Sequence, residues 1–531
     1  MTGETTMTGD LLLHGVELYG PQGRRGPVDC RVRDGVVAET GSRLRALPGE
    51  FVVRGNGGAL LPGLADHHLH LMAMAAAHTS LDLSPLPRDG VATALARAAA
   101  GEDGWVRAVG YDDVLHGDLD RDTLDGWNRV VPVRVQHRSG ALWLVNSPGL
   151  ERLGAITAAH DGIERDGAGR PTGRLWRADA WMRGTLGGRP PSLRPVGARL
   201  AALGVTHVAD ATPDAGAAEA VAEAVRRSEL PQRVMVMADG MDSLASGSPG
   251  GSASGPAAGA AGGSASGPAG GSAGGSAGRS ASRSAGGSAS GSAKESGDGS
   301  AGARLSIGPV KLVVADHTLP DLDELARRIR RAHAGGRPVA VHCVTRTALA
   351  LTLAAFDQAG GADGDRVEHC AVADLSAAEE LAARGVRVVT QPTLVTRRGD
   401  DYWARAEPED RPDLWRYAGL LRAGVLVAPS SDAPYGDPDP WACLRSASER
   451  LTPSGRVLGP DERTPAGTVL RGFLSPLHDP GGPPRQVVAG LSADLVLLDR
   501  PLAEALRAPD SAHVRATFIE GRVVYGAENL A

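Results

Sequence analysis

The chain has 531 residues, more than one ordinary domain holds, so a large core of roughly 250 residues with additional pieces is expected. Its net charge is -6 with acidic and basic residues interspersed, which leaves no basic stripe for nucleic acid, and no apolar run is long enough to span a bilayer. The four cysteines (Cys30, Cys343, Cys370, Cys443) are far apart with no CxxC, and the opening MTGETTMTGD has no signal-peptide pattern, so neither disulfides nor a thiolate zinc site is expected and the setting is soluble and cytoplasmic.

In chain order, Leu11–Leu18, Asp29–Ala38 and Phe51–Leu61 read as strands, and so do Ala493–Leu498 and Ala516–Val524 at the far end. These two β-rich ends, residues 1–61 and 485–531, are expected to pair as one small β-sandwich. Between them, over residues 62–484, short Val/Ile/Leu-rich runs alternate with helix-length amphipathic stretches, the pattern of an α/β protein with a parallel sheet.

The runs are Leu64–His70, Val205–Asp210, Arg233–Ala238, Pro309–Val314, Val339–Cys343, Arg366–Cys370, Val386–Gln391 and Val425–Ser430. Eight such runs predict a (β/α)8 TIM barrel. Helices are expected at Leu322–Ala334, Thr347–Gln358, Ser376–Arg384 and Asp413–Ala423. The gap after the first strand holds an inserted subdomain, residues 80–195, with strand-like Trp105–Val109 and Val131–His137. From Ala245 to Ala303 the sequence is almost wholly Gly, Ser and Ala, too little apolar surface to offset the entropy of ordering, and reads as a disordered tether.

The sharpest motif is Asp66-His67-His68-Leu69-His70, at the end of the first run. Strand alternation puts Asp66, His68 and His70 on one face, so two imidazoles can grip one cation. An isolated HxH is weak evidence, but Lys311 on strand four, His342 on strand five, His369 on strand six and Asp432 just past strand eight join it. Alone, each histidine is best read as a satisfied core residue and Asp432 as a turn residue. Their joint placement at C-terminal strand ends, where barrel enzymes collect catalytic groups, points to a metal centre instead. Cys343 and Cys370 follow the two later histidines and so point outward, as packing residues.

Alternation also turns Lys311 into the barrel, where an unpaired ammonium is costly; carboxylation would make it an anionic ligand able to bridge two cations, and that choice stays open. Weaker candidates for substrate contact are His137 and Arg138 on the inserted subdomain, His317 after strand four and Gln391 at the end of strand seven. Tyr402, Trp403 and Trp415 read as packing in preference to a lid.

Leu61-Pro62-Gly63-Leu64-Ala65-Asp66 through His70 resembles the first-strand signature of the amidohydrolase superfamily. Ser139-Gly140 through Val145-Asn146-Ser147, Arg170-Pro171-Thr172-Gly173, Val310-Lys311-Leu312, Arg366-Val367-Glu368-His369 and Ala493-Asp494-Leu495-Val496-Leu497-Leu498-Asp499 narrow it to amidohydrolase family 3, which includes N-substituted formamide deformylases. The resemblance covers nearly the whole chain outside the low-complexity insert and implies the split sandwich.

The chain departs from the family pattern at Ala141, where the family has histidine, around Arg177 and Ala178, where it has glutamate, after His342, and at Asp316-His317. Metal chemistry carries over on this basis; the substrate does not. The expected activity is hydrolysis of an amide or formamide-type carbon–nitrogen bond by metal-bound hydroxide. His68 and His70 bind one divalent cation with Asp432, His342 and His369 bind a second or complete a single site, and Asp432 serves as general base and acid. Zinc is the first choice of metal, as one or two ions. A small-molecule amide is the expected partner, and homo-oligomerisation stays open. The alternatives are a heterocycle deaminase on the same site and a catalytically inactive ligand-binding or regulatory descendant.

Overall fold

The computed structural model describes residues 10–20, 23–187, 190–239, 304–315 and 319–530. The low-complexity segment expected to be disordered, and His317, lie outside the described residues.

The central element is a parallel (β/α)8 barrel recorded as two hydrogen-bonded arcs. One runs Leu305–Ile307, Arg233–Val236, Val205–Asp210, Leu64–Leu69; the other runs Val310–Val313, Val339–Cys343, Arg366–His369, Arg387–Thr390, Val427–Pro429. Every pairing within them is parallel. The arcs join on one side where Lys311 N donates to Met237 O at 2.8 Å. They join on the other where Asp432 N donates to His68 O and His70 N donates to Ala433 O, both at 2.8 Å. Strands one and eight therefore meet at the place where the histidine motif ends.

The fourth strand differs from the single run expected at Pro309–Val314. Among the described residues its first piece, Leu305–Ile307, pairs with strand three alone, and its second, Val310–Val313, pairs with strand five. Pro309 has no amide hydrogen to give, so the ladder breaks at Gly308-Pro309 and resumes on the other neighbour.

Local chemistry sets the helices. Leu322–Ala334 buries Leu325, Ala326, Ile329 and Ala332 on one face, and the Asp321 side chain caps it by accepting from Asp323 N at 3.0 Å and Glu324 N at 3.2 Å. The helix expected at Asp413–Ala423 is replaced by a 3-10 turn, Arg411–Asp413, and a short helix, Ala418–Arg422. Trp415 breaks it: its φ is 50°, its amide donates to Ala371 O at 2.7 Å, and its carbonyl accepts from Arg450 Nη1 at 2.8 Å. The short helix then starts on the Glu462 carboxylate, which accepts from Tyr417 N at 3.0 Å and Gly419 N at 2.7 Å.

Both chain ends build one β structure, in which Leu495 to Leu497 pair antiparallel with Pro62 to Leu60. Its eight strands follow the order Arg522–Tyr525, Val514–Ile519, Leu495–Leu498, Ala59–Pro62, Leu11–Gly20, Gly23–Arg33, Val36–Gly41, with Phe51–Arg54 added to Leu11–Gly20. They enclose a core including Leu13, Val16, Val32, Val53, Leu495, Leu497 and Phe518. After barrel strand one comes a separate six-stranded sheet between Leu81 and Trp176, with apolar clusters on both of its faces. Among the described residues no helix is long and apolar enough to cross a membrane.

Candidate metal centre

The first barrel strand carries Asp66, His67 and His68 at full burial, and His70 follows at its end. Its sequence can start tightly against strand two because residue 63 is glycine: a Cβ there would fall 2.1 Å from Thr206 Oγ1. His67 points outward as alternation requires, its Nε2 lying 3.2 Å from both Gly472 O and Ser475 Oγ. His68 and His70 turn inward to meet Asp432.

Asp432 follows strand eight with φ 54°, a left-handed conformation that aims its carboxylate back at strand one. Its Oδ1 lies 3.5 Å from His68 Nε2 and 3.3 Å from His70 Nε2. One donor atom from each of these three residues falls within 4.8 Å of the others. Asp66 stabilises this junction from behind, its Oδ1 accepting from His68 N and from Ser431 N, each at 3.1 Å. Burial pushes the Asp66 carboxyl up to about 6, and its Oδ2 has no partner.

The other expected ligands gather beside this trio. The His369 ring lies 4.8 Å from that of His68 and 4.4 Å from that of His342, centroid to centroid. Burial, and then the positive charge of Lys311, lowers the His68 pKa to about 3. Burial likewise holds His342 and His369 below the ordinary imidazole value. All three are therefore neutral, with lone pairs free for a cation. Burial opposes ionisation of Asp432, but the hydrogen bond from His70 and the neighbouring imidazoles hold it ionised, below the usual carboxylate range. Lys311 is buried, its amine pushed down to about 8 by burial, and its Nζ has no hydrogen-bond partner.

This donor set suits a divalent cation of borderline softness: neutral imidazoles and a carboxylate converge, with an unsatisfied amine buried beside them. Among the four residues expected to touch substrate, Gln391 instead orients a ring, its Oε1 lying 2.8 Å from His369 Nδ1 while its Nε2 donates to Ser430 Oγ at 2.9 Å. His137 Nε2 lies 3.1 Å from Asp113 Oδ1, and Arg138 pairs with Asp112 at 3.1 Å and with Asp401. Tyr402, Trp403 and Trp415 pack into or against an apolar cluster with Leu394 and Leu414. Cys343 packs toward its helix, with Sγ 3.1 Å from Thr352 Oγ1.

Sequence reasoning missed two neighbours. Tyr435 lies 5.5 Å from His70, ring to ring, and fits only because residue 140 is glycine, with φ 72° and no Cβ, which would sit 2.5 Å from the phenol. Glu368 touches His68, its Oε2 lying 2.5 Å from Nδ1. On a regular strand Glu368 and His369 would face opposite ways, but His369 has φ 68° and both turn inward. A fully buried glutamate in a barrel strand was the signal available.

The cluster lies at the C-terminal ends of the barrel strands, the face on which barrel enzymes gather their catalytic groups. The chain belongs to the amidohydrolase family (family 3), which it matches over residues 55–525. The enzyme class that comes with the family is hydrolysis of carbon–nitrogen bonds other than peptide bonds. It is 29% identical over 205 residues to an N-substituted formamide deformylase of Arthrobacter pascens, a match spanning 37% of this chain and 38% of that protein. Metal-dependent hydrolases from Pyrococcus horikoshii OT3 and Pyrococcus furiosus share the fold, each at 19% identity, with TM-scores of 0.68 and 0.64. The alignments cover 95% and 92% of this chain and 99% of each of those chains.

Proposed function

We propose that this protein hydrolyses an amide or formamide-type carbon–nitrogen bond of a small molecule, with zinc as the cation. The observation that carries this reading is the convergence of His68, His70 and Asp432 within 4.8 Å where strands one and eight meet. His68 and His70 would hold the cation with Asp432, and His342, His369 and Lys311 would extend the site to a second. When bound, the cation supplies Lewis acidity, which makes water acidic enough to attack near neutral pH and polarises a carbonyl.

The remaining work falls to the chain itself. Asp432, ionised and buried, accepts the proton of the attacking water and returns it to the departing nitrogen, so that amide and water become acid and amine. Gln391 holds His369 through its Nδ1, which leaves Nε2 as the free donor. Tyr435 stands beside His70, backed by Gly140, and would limit the size of group that can approach. The cytoplasm suits the four cysteines, all buried and none in a disulfide. In this reading a small amide is the partner, and nucleic acid and membrane have no part.

The test is metal content of wild type, His68→Ala and Asp432→Ala alongside amine release from a panel of N-formyl and N-acyl amines. The expected result is at least one equivalent of metal in wild type, reduced by losing His68, with amine release dependent on Asp432. A wild type that stays metal-free after reconstitution with zinc or manganese would overturn the proposal.

A further inference from the structure

Inside the barrel, beneath the three converging donors, lies a charged chain that hydrolysis does not itself require. Glu368 is fully buried and uses both oxygens: Oε2 lies 2.5 Å from His68 Nδ1, and Oε1 accepts from Arg366 Nε at 2.7 Å. Arg366, also buried, reaches across the barrel from strand six. Its Nη2 donates to His67 O at 3.2 Å and contacts Met237 Sδ at 3.1 Å, which ties strand six to strand one and to the residue just past strand three. Glu368 is thus fixed by a guanidinium that is itself anchored to the backbone beside the histidine it touches.

From this geometry we infer that Glu368, braced by Arg366, is a positioning residue that sets the tautomer and ring orientation of His68. A carboxylate can only accept, so the His68 proton must sit on Nδ1, and Nε2, 3.5 Å from Asp432 Oδ1, is left as the lone-pair donor. An isolated neutral imidazole has no such constraint and would divide between two tautomers, only one of which presents Nε2 to a cation. His70 has a weaker fixture, the Thr212 hydroxyl 3.2 Å from its Nδ1, and a hydroxyl can donate or accept. Of the two imidazoles that face Asp432, His68 is the one whose Nδ1 meets a carboxylate.

This inference rests on the metal-centre reading only for its consequence, tighter cation binding; the tautomer itself can be measured in metal-free protein. Two measurements separate them. In metal-free protein labelled with 15N-histidine, with the His68 ring assigned by its loss in His68→Ala, wild type should show a protonated Nδ1 and an unprotonated Nε2. Glu368→Ala should lose that pattern, and Glu368→Gln, whose amide oxygen can still accept, should keep it. In zinc competition with a chelator, Glu368→Ala should bind about 10- to 100-fold more weakly than wild type, with Glu368→Gln between them.

An unchanged Nδ1–H signal in folded Glu368→Ala would overturn the inference, as would wild-type zinc affinity in both variants. Thermal melting of metal-free Glu368→Gln serves as the folding control. If wild type failed to bind zinc at all, the hydrolase reading would fall, and the nitrogen spectra would still decide the role of Glu368.

Discussion

The barrel holds two buried polar clusters, one at each end of its strands, and they are built on opposite terms. Toward the C-terminal end, polar atoms are left over: Lys311 Nζ and Asp66 Oδ2 are buried without a hydrogen-bond partner. At the N-terminal end, Asp494 from the last part of the chain is saturated. Its Oδ2 accepts from Arg233 Nε at 2.6 Å and Ser492 Oγ at 3.0 Å, its Oδ1 accepts from Glu520 N at 2.8 Å, and its carbonyl accepts from Gly63 N at 2.8 Å. Arg485 completes that end by donating to Gly63 O at 2.6 Å and contacting His207 Nδ1 at 3.0 Å. Buried polar groups are expensive unless paired, so the satisfied cluster acts as a clamp between barrel and terminal strands. The other is the cluster to which the proposed chemistry is assigned.

One substitution chemistry applied at both ends should separate these roles. Asp432→Asn removes the charge that would take and return the proton while keeping the shape, so amine release should fall by about 10²- to 10⁴-fold. Melting of the metal-free protein should scarcely move, because this cluster is not what holds the barrel shut. Steady-state kinetics and calorimetry on the same preparation check both halves; a large drop in metal-free stability would place Asp432 with the clamp.

Asp494→Asn should do the reverse. It removes the charge that pairs with Arg233 Nε at 2.6 Å, and removing one member of a buried pair costs about 3 kcal/mol. Urea unfolding should report that loss while kcat/KM of the folded fraction stays near wild type. If activity fell and stability held, the two ends would be coupled in a way the clamp picture does not allow.

The clamp also predicts a pH dependence. Burial opposes ionisation of Asp494, but His207 and Arg233 hold its pKa below the ordinary carboxylate value. At a pH between the folded and unfolded pKa values the unfolded chain binds the extra proton, so the pair stabilises fully above the unfolded value of about 3.9 and less as pH falls through the folded one. The gap in melting temperature between wild type and Asp494→Asn should therefore be constant from neutral pH down to about 5 and close below about 4. A gap that instead widened in acid would mean that the carboxyl is protonated more readily in the folded protein.

The contrast bears on what sequence could reveal. The ends of strands one, five, six and eight were legible because His68, His70, His342, His369 and Asp432 are residue types that strands rarely carry together, and alternation aims a strand's side chains predictably. The clamp was not legible: Asp494 appeared only within a terminal motif, and its partners are Arg233, distant in sequence, and Glu520, in the turn between two terminal strands. Glu368 was hidden by the same alternation rule that exposed the histidines, since the positive φ of His369 breaks the rule at that point. The overlong helix at Asp413–Ala423 failed for a tertiary reason as well, because hydrogen bonds to Trp415 and a cap from Glu462 are supplied by remote segments.

The smallest predicted effect concerns a residue between these categories. Arg138, on the turn of the inserted sheet next to Gly140, reads from sequence as a substrate contact. In the structure its guanidinium is engaged by Asp112 and Asp401, and its carbonyl accepts from Arg398 Nη2 at 2.9 Å. Arg398 also donates to Tyr435 O at 3.2 Å, so this set fastens the inserted sheet to the helix Thr393–Arg405 beside the site. An arginine already engaged by two carboxylates has little charge to offer a ligand, and because the set is partly open on the Asp401 side, breaking it should cost less than breaking the Arg233–Asp494 pair, about 2 kcal/mol. Arg138→Ala should therefore lower stability by about that amount and leave KM for any turned-over amide unchanged. A rise in KM with unaltered melting would return Arg138 to the substrate pocket, and would show that the fastening between sheet and helix opens when substrate enters.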